Sequence, residues 1–302
     1  MKIKYFPFFV VLTLIFQGCQ DKFNPKKEII TSCKQGSETV HKILFVGWDG
    51  TRTDALLAAN TPEVDSLLQH AYYNLHTDRG TYTVSVPGWS TILHGVWPEK
   101  HGLTENSFIG SHYDTYPDIF TLAKRVKPNL SVANLSNWDD FLRITDNEDF
   151  AQRYDSDTEM KEGTIQLIES CTPDIIVLHF NNPDEFGHDS GFSPDNPKYL
   201  QAIEISDMYL GNIMKVIRKR EALTNEKWLV VMTTDHGGHG TGHGGQYDLP
   251  ETRFVWSILR TPDKLTGEEL PLVNSVDLLP TMLNWIGITV DPAWNLDGEV
   301  LF

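Results

Sequence analysis

Three apolar runs, each followed closely by acidic or histidine residues, constrain the fold of this chain more than any other feature. The runs lie at 41–48, 174–180 and 228–234. Their apolar centres do not alternate with polar residues, which is typical of strands buried on both faces in a parallel sheet. Segments with helical spacing lie between them, together with further short strands. The pattern predicts one α/β/α sandwich with a mostly parallel central sheet.

The third run leads into a glycine-rich segment that also carries carboxylate and imidazole groups. Residues 233–245 read TTDHGGHGTGHGG, so Asp235, His236, His239 and His243 lie among six glycines. Glycine lets the backbone turn tightly around a site, and carboxylate with imidazole suits Zn²⁺ or Mn²⁺. For this segment taken alone, a flexible glycine and histidine loop is the alternative.

The first two runs are followed by groups of the same kind. Asp49 directly follows the first run, where open α/β sheets place their ligands, although a helix N-cap is the alternative. Asp184 and His188 lie four residues apart in a predicted loop after the second run.

Ser85 is predicted in the first turn of a helix, beside free backbone N–H groups and the positive end of the helix dipole. That position suits a nucleophile for an anionic phosphoryl group, and a simple helix cap is the alternative.

Six motifs together resemble those of the alkaline phosphatase superfamily. Within it, the chain is most similar to the type I phosphodiesterase/nucleotide pyrophosphatase branch and its bacterial sulfatase-like relatives. The motifs are DGTR at 49–52, TVSVPGWSTILHG at 83–95, HGLTEN at 101–106, NNPDEFGH at 181–188, TTDHGGHGTGHGG at 233–245 and DLLPTMLNWIG at 277–287. The resemblance covers nearly all of residues 41–302 and implies an alkaline phosphatase-like fold and a hydrolase of ester bonds.

The resemblance also implies two divalent metal sites. Six residues match the family's ligands: Asp49, Asp235 and His236 for one ion, and Asp184, His188 and His243 for the other. His239 is the alternative to His243. Mixed oxygen and nitrogen donors favour Zn²⁺, with Mn²⁺ as the second choice. Because imidazole binds a metal only when it is neutral, activity is expected to fall in acid.

The matching catalytic residues are Ser85 and Asn106. By resemblance, Ser85 attacks phosphorus to give a phosphoseryl intermediate, and Asn106 helps to hold a phosphoryl oxygen. Diesters or nucleotide pyrophosphates are expected ahead of monoesters, because no cationic group for the extra charge of a monoester is identified. Three residues are candidates by position only: Arg52, Lys100 and Arg143.

Two further functions stay open as alternatives. One is a sulfatase or phosphonate hydrolase of the same superfamily. Formylglycine sulfatases carry a C/S-x-P-x-R motif, and Trp89 stands here in place of its arginine. The other is a non-catalytic lipoprotein that serves as a binding module. Trp89, Trp138 and Phe186 are candidates for a leaving-group pocket, or else core aromatics.

The charge balance excludes one class of partner. The chain of 302 residues has a formal net charge of −16, from 25 basic and 41 acidic residues. Binding to a nucleic-acid backbone depends on lysine and arginine, so no polymeric nucleic acid is expected as a partner. We expect a small phosphate-ester substrate, and bound cations would supply the local attraction for it.

The N-terminus is typical of an exported protein. Residues 1–18 combine two lysines with a short apolar run, which predicts a signal peptide. Gly18-Cys19 resembles a bacterial lipoprotein cleavage site; ordinary signal cleavage or an uncleaved anchor are the alternatives. We expect a lipid on Cys19, a tether at 19–40 and a catalytic domain at 41–302, facing the periplasm or the cell surface. Cys33 and Cys171 could pair in an oxidising compartment, without geometric support from their sequence positions.

Overall fold

Eight strands form one open sheet in the computed structural model, which describes residues 33–37 and 39–302. The predicted signal peptide, the predicted lipid attachment at Cys19 and most of the predicted tether lie outside these residues. No helix within 33–37 and 39–302 is both long enough and apolar enough to cross a membrane.

The strands are numbered along the chain. They are β1 (His41–Trp48), β2 (Ala71–Asp78), β3 (Val132–Ser136), β4 (Phe150–Arg153), β5 (Ile175–Phe180), β6 (Lys227–Thr233), β7 (Phe254–Arg260) and β8 (Glu268–Glu269). Their order across the sheet is β4-β3-β5-β1-β6-β7-β2-β8. Strand β7 is antiparallel to both of its neighbours, and every other neighbouring pair is parallel. The sheet is therefore mostly parallel, as predicted.

The helices connect these strands and cover both faces of the sheet. The described part of the chain contains α1 (Thr53–Ala58), α2 (Pro62–Leu68), α3 (Ser85–His94), α4 (Pro98–His101), α5 (Ile119–Val126), α6 (Asp157–Ser170), α7 (Asn182–Ser190), α8 (Pro197–Leu223), α9 (Pro250–Arg253) and α10 (Leu278–Trp285). Short 3₁₀ turns lie at Phe141–Arg143, Ser275–Asp277 and Pro292–Trp294.

Strand β1 shows why the predicted runs are continuously apolar. Leu44, Val46 and Trp48 pack into a core shared with helices α6 and α8. Ile43 and Phe45 point to the opposite face and pack with α3, α5 and α10. Both faces of the strand are thus removed from water, and burial of each large apolar side chain contributes roughly 1.5–3 kcal/mol. The predicted α/β/α sandwich is confirmed.

The segment that carries Asp184 and His188 is a helix, so the predicted loop is wrong. Helix α7 starts two residues after β5, and Pro183 occupies its first turn, where a missing N–H is tolerated. Asp157 accepts a hydrogen bond from the N–H of Asn182 at 2.9 Å and so satisfies the helix start. Because residues four apart share a helix face, Asp184 and His188 still point to the same side.

The polar segment at 137–157, whose sequence shows no clear apolar period, contains strand β4. This strand pairs with β3 at the edge of the sheet. Its burial alternates between half-buried and exposed side chains, which is typical of an edge strand.

A disulfide links the start of the described chain to the end of α6. Cys33 is bonded to Cys171 directly after α6, with Cα atoms 6.1 Å apart, within the usual range. The N–H of Gly36 donates to the carbonyl of Cys171 at 2.9 Å, and the N–H of Ser37 donates to Asp174 at 2.9 Å. The two cysteines whose pairing the sequence left open therefore join positions 138 residues apart.

Candidate metal centre

The carboxyl ends of strands β1, β5 and β6 meet at one edge of the sheet, and the predicted ligands lie there. Asp49 directly follows β1, Asp235 follows β6 by two residues, and Asp184 lies in α7 after β5. Gly50 has a φ of +62°, and a Cβ at this position would overlap Asp184. The turn after β1 therefore needs glycine, which lets Asp184 approach the loop of Asp49.

Asp49, Asp235 and His236 form a first, fully buried cluster. Nε2 of His236 lies 3.5 Å from Oδ1 of Asp49 and 3.2 Å from Oδ2 of Asp235. Those two carboxylate oxygens form no hydrogen bond with any residue that the structure describes. A buried carboxylate oxygen without a partner is costly unless a cation satisfies it. The spacing suits tetrahedral Zn²⁺, whose ligands at about 2.0–2.1 Å are about 3.3 Å from one another.

Asp184, His188 and His243 form a second cluster beside the first. Oδ2 of Asp184 lies 3.4 Å from Nε2 of His188, and Oδ1 lies 3.8 Å from Nε2 of His243. Among the described residues, Oδ1 of Asp184 has no hydrogen-bond partner. The rings of His236 and His243 stack with centroids 3.7 Å apart, which joins the two clusters. All six predicted ligands therefore meet in one place.

Backbone carbonyls fix the tautomers of all three histidines. Nδ1 of His188 lies 2.9 Å from the carbonyl oxygen of Thr241, and Nδ1 of His243 lies 2.6 Å from that of Thr83. Nδ1 of His236 lies 2.8 Å from the carbonyl oxygen of the next residue. Because a carbonyl oxygen only accepts, each Nδ1 carries the proton and donates it. Each Nε2 therefore presents a lone pair to the clusters, as metal-binding histidines do.

Ser85 and Asn106 meet at the start of α3. Val84 is the N-cap of this helix, and no side chain caps it, so Ser85 does not serve as a cap. The Ser85 Oγ lies 3.2 Å from Nε2 of His236, and the residue is 5% exposed. Oδ1 of Asn106 accepts the N–H of Val86 at 2.9 Å. This bond orients the exposed Asn106 amide, whose nitrogen is left to donate to an anion near Ser85.

Burial dominates the protonation of the site. It raises the pKa of Asp49 to about 6, and it raises the pKa values of Asp184 and Asp235 well above 3.8, with neighbouring carboxylates adding to the effect. Burial also lowers the pKa of His243 to about 4 and that of His236 well below 6.5. His236 and His243 are therefore neutral near pH 7, and the crowded carboxylates gain most from a cation between them.

Sequence reasoning missed the residues that hold these ligands. Nε2 of His179 and Nε1 of Trp89 lie 2.7 and 3.1 Å from the same oxygen of Asp49, Oδ2. Arg79 is buried and donates from Nε to the carbonyl of Asp235 at 2.5 Å. The one local signal is that His179 is a polar residue inside an otherwise apolar predicted strand. Trp89 is completely buried, so it is a core residue and not part of a leaving-group pocket.

His239, the alternative ligand, lies apart from both clusters. Its Nδ1 lies 2.9 Å from Oε1 of Glu251, and its side chain is 61% exposed. The structure therefore brings His243, and not His239, to the other candidate ligands.

The family model of type I phosphodiesterases and nucleotide pyrophosphatases matches residues 43–138 and 125–246. The chain belongs to this family. All eight residues proposed for catalysis and metal binding lie within the matched region. The rat ectonucleotide pyrophosphatase/phosphodiesterase family member 7 is 24% identical to this phosphodiesterase-family chain over 238 residues, which cover 69% of the chain and 53% of the relative. The matched region thus spans about half the length of that relative.

Solved structures share the fold of this family member. Murine ectonucleotide pyrophosphatase/phosphodiesterase 5, solved in complex with AMP, superimposes with a TM-score of 0.68 at 15% identity, over 83% of this chain and 96% of that one. A 2-O GAG sulfatase superimposes with a TM-score of 0.67 at 16% identity, over 87% of this chain and 75% of the sulfatase. These similarities establish the alkaline phosphatase-like fold predicted from the motifs.

Proposed function

We propose that the protein hydrolyses phosphodiester or nucleotide pyrophosphate bonds, with two divalent metal ions and a phosphoseryl intermediate on Ser85. One observation carries this proposal. The Ser85 hydroxyl lies 3.2 Å from a histidine of a six-residue group in which three buried carboxylate oxygens have no hydrogen-bond partner among the described residues. A non-catalytic binding module would not need a hydroxyl at this position.

The donor set favours zinc. We assign six ligands to two ions: Asp49, Asp235 and His236 to the first, and Asp184, His188 and His243 to the second. Mixed carboxylate and imidazole donors suit Zn²⁺, with Mn²⁺ as the alternative. When bound, such ions lower the pKa of a nearby hydroxyl or water and neutralise charge on a phosphoryl group.

Ser85 is the proposed nucleophile. Its Oγ forms a bond to phosphorus while the bond from phosphorus to the leaving oxygen breaks, and the hydroxyl proton passes to solvent, which reprotonates the leaving group. Water then breaks the new Oγ–P bond and restores the Ser85 hydroxyl. The start of α3 favours the anionic group, since the helix dipole is positive there. Asn106 donates from its amide to a phosphoryl oxygen, held in place by the N–H of Val86.

The proposed preference for diesters rests on the ion pairs of the three candidate basic side chains. Arg52 pairs with Asp54 and also donates to two backbone carbonyls. Lys100 pairs with Asp297, and Arg143 pairs with the aspartate three residues before it. A phosphate monoester carries one more negative charge than a diester. None of these three side chains is free to hold that charge, which favours diester substrates.

A sulfatase or phosphonate hydrolase is the second candidate. It is favoured by the structural similarity to a sulfatase, which concerns the fold alone. Trp89 weighs against a formylglycine sulfatase. It takes the place of the arginine in the sulfatase motif, and its indole is buried against Asp49. Phosphoryl transfer by an unmodified serine therefore stays the leading proposal.

We also propose that the protein is exported and held to a membrane by a lipid on Cys19. Residues 1–18 would be removed, residues 19–40 would form the tether, and residues 41–302 would form the catalytic domain, facing the periplasm or the cell surface. The Cys33–Cys171 disulfide supports an oxidising compartment. The expected partner is a small phosphate ester.

The test is a comparison of turnover rates for bis(nitrophenyl) phosphate, nitrophenyl phosphate and nitrophenyl sulfate in the presence of Zn²⁺. The diester should be hydrolysed fastest, and Ser85→Ala should abolish its turnover. Ser66→Ala is the matched control, because Ser66 lies exposed on α2 and should not affect the rate. Faster sulfate turnover, or full activity in Ser85→Ala, would show the proposal to be wrong.

A further inference from the structure

The two oxygens of Asp49 have different environments. Oδ2 lies 2.7 Å from Nε2 of His179 and 3.1 Å from Nε1 of Trp89. Oδ1 faces the first cluster and forms no hydrogen bond with a described residue. A carboxylate held by two donors on one oxygen is oriented to offer only the other oxygen to a cation.

Hydrogen bonds fix the tautomer of His179. Its Nδ1 lies 3.1 Å from Oγ of Ser136, and that hydroxyl oxygen accepts the N–H of Trp138 at 2.9 Å. The Ser136 proton is thus free to be donated to Nδ1. The ring proton then lies on Nε2, which donates it to Asp49. The reverse tautomer would place a nitrogen lone pair against a carboxylate oxygen at 2.7 Å, a repulsive contact in a buried site.

Aromatic rings hold the imidazole of His179 in this orientation. Phe141 stacks on it with centroids 4.4 Å apart, and Trp89 meets it edge-on at 5.3 Å. Trp89 in turn fills the space above Gly47, where a Cβ would overlap its ring. His179 and Trp89 are both completely buried. The two donors therefore have little freedom to leave Asp49.

We propose that His179 is a positioning residue, which orients Asp49 and thereby sets the affinity of the first metal site. This inference rests on the proposed two-metal function. His179 acts through Asp49 and belongs to neither group of proposed ligands. Loss of a hydrogen-bond partner of a metal ligand typically weakens metal binding by about 10–100-fold. Because Asp49 is assigned to one ion, the loss should affect one of the two ions only.

The test is a competition titration of the metal-free full chain with Zn²⁺ against a chromogenic chelator. His179→Phe keeps a ring to stack on Phe141 but removes the hydrogen-bond donor to Asp49. It should therefore lower the affinity for one of the two zinc ions by about 10–100-fold and leave the affinity for the other unchanged. His179→Gln should retain most of the affinity, because its amide nitrogen can donate from nearly the same position. His101→Phe is the matched control. It removes a buried imidazole that forms hydrogen bonds with Thr91 and the backbone, so the affinities for both zinc ions should stay unchanged.

The outcomes separate this inference from the proposed function. If the unmodified chain does not bind two zinc ions, the proposed function is wrong. If it binds two and His179→Phe binds both equally well, or loses both together, the positioning role is wrong. If His179→Phe does not fold, Ser136→Ala takes its place. Ser136→Ala should lower the affinity for the same zinc ion, because His179 is then no longer held in the tautomer that donates to Asp49. Unchanged zinc binding would overturn the inference.

Discussion

Nε2 of His188 lies 3.0 Å from Nε2 of His243, although each ring already donates its Nδ1 proton to a backbone carbonyl. When both rings are neutral, two nitrogen lone pairs therefore face each other at hydrogen-bond distance. Such a contact is unfavourable unless a positive charge lies close to both atoms. Oδ1 of Asp184 lies 3.8 Å from the same nitrogen of His243, and Asp184, His236 and His243 bring one ligand atom each close enough to share a cation.

Substitution of the proposed nucleophile should separate catalysis from metal binding. Ser85→Ala should lower kcat for a diester by at least about 10³-fold, because the substitution removes the attacking hydroxyl. Ser85→Thr should keep measurable activity, since it retains a hydroxyl at the same position. Zinc content, measured by mass spectrometry, should be the same in all three proteins. Equal loss of zinc and of activity in Ser85→Ala would point to a structural role for Ser85.

Removal of the Asn106 amide should affect the reaction more than substrate binding. Asn106→Ala should lower kcat by about 10²–10³-fold, the usual cost of losing one donor to a developing negative charge. Steady-state kinetics with a diester gives kcat and KM separately. Asn60→Ala, away from the site, is the control. A rise in KM alone would mean that Asn106 binds the substrate without stabilising the transition state.

The location of the site could be predicted because its signals are local. Asp49 and Asp235 each follow an apolar run that alone predicts a buried strand, and carboxyl ends of parallel strands lie together. The helical state of α7 could not be predicted in this way. Its sequence contains Pro183 and Gly187, which favour a loop, while its start depends on Asp157, 25 residues away from Asn182.

The residues that hold Asp49 in place are distant from it in the sequence. His179 meets Asp49 across 130 residues, and Trp89 meets it across 40. The His179 contact arises from the order of strands in the sheet, which brings β5 beside β1. The Trp89 contact arises because α3 packs against the face of β1 that carries Ile43 and Phe45. No spacing rule links these positions. The sequence therefore left Trp89 open between a leaving-group pocket and the core, and it did not indicate the role of His179.

Metal affinity should fall in acid because of the carboxylates. The sequence-based expectation attributes this loss to imidazole protons, but the pKa of His243 is already lowered to about 4. The pKa of Asp49 is raised to about 6, so below that pH a metal ion must displace its proton. Affinity should therefore drop by about tenfold per pH unit below about pH 6 for each proton displaced. Calorimetry in two buffers counts released protons, and equal release at about pH 5 and pH 8 would contradict this.

The disulfide should stabilise the fold without affecting catalysis. Cys33 and Cys171 close a loop of 138 residues, and loss of such a bond typically costs about 2–4 kcal/mol. Cys171 precedes β5, whereas the metal ligands follow the other ends of the strands. A Cys33→Ser/Cys171→Ser double variant should therefore unfold at lower urea but keep its kcat. Reductant should destabilise the parent chain and not the double variant. Equal urea midpoints of unfolding for the parent chain and the double variant under oxidising conditions would mean that the disulfide contributes no stability.

We propose that two metal ions lie side by side beside Ser85. Anomalous X-ray diffraction at the zinc edge, from crystals of the zinc-loaded protein, tests it most directly. We expect two peaks, one among Asp49, Asp235 and His236, and the other among Asp184, His188 and His243. Asp49→Asn should lose the first peak and keep the second. A single peak, or no peak near Ser85, in a protein that still hydrolyses diesters would contradict the two-metal site.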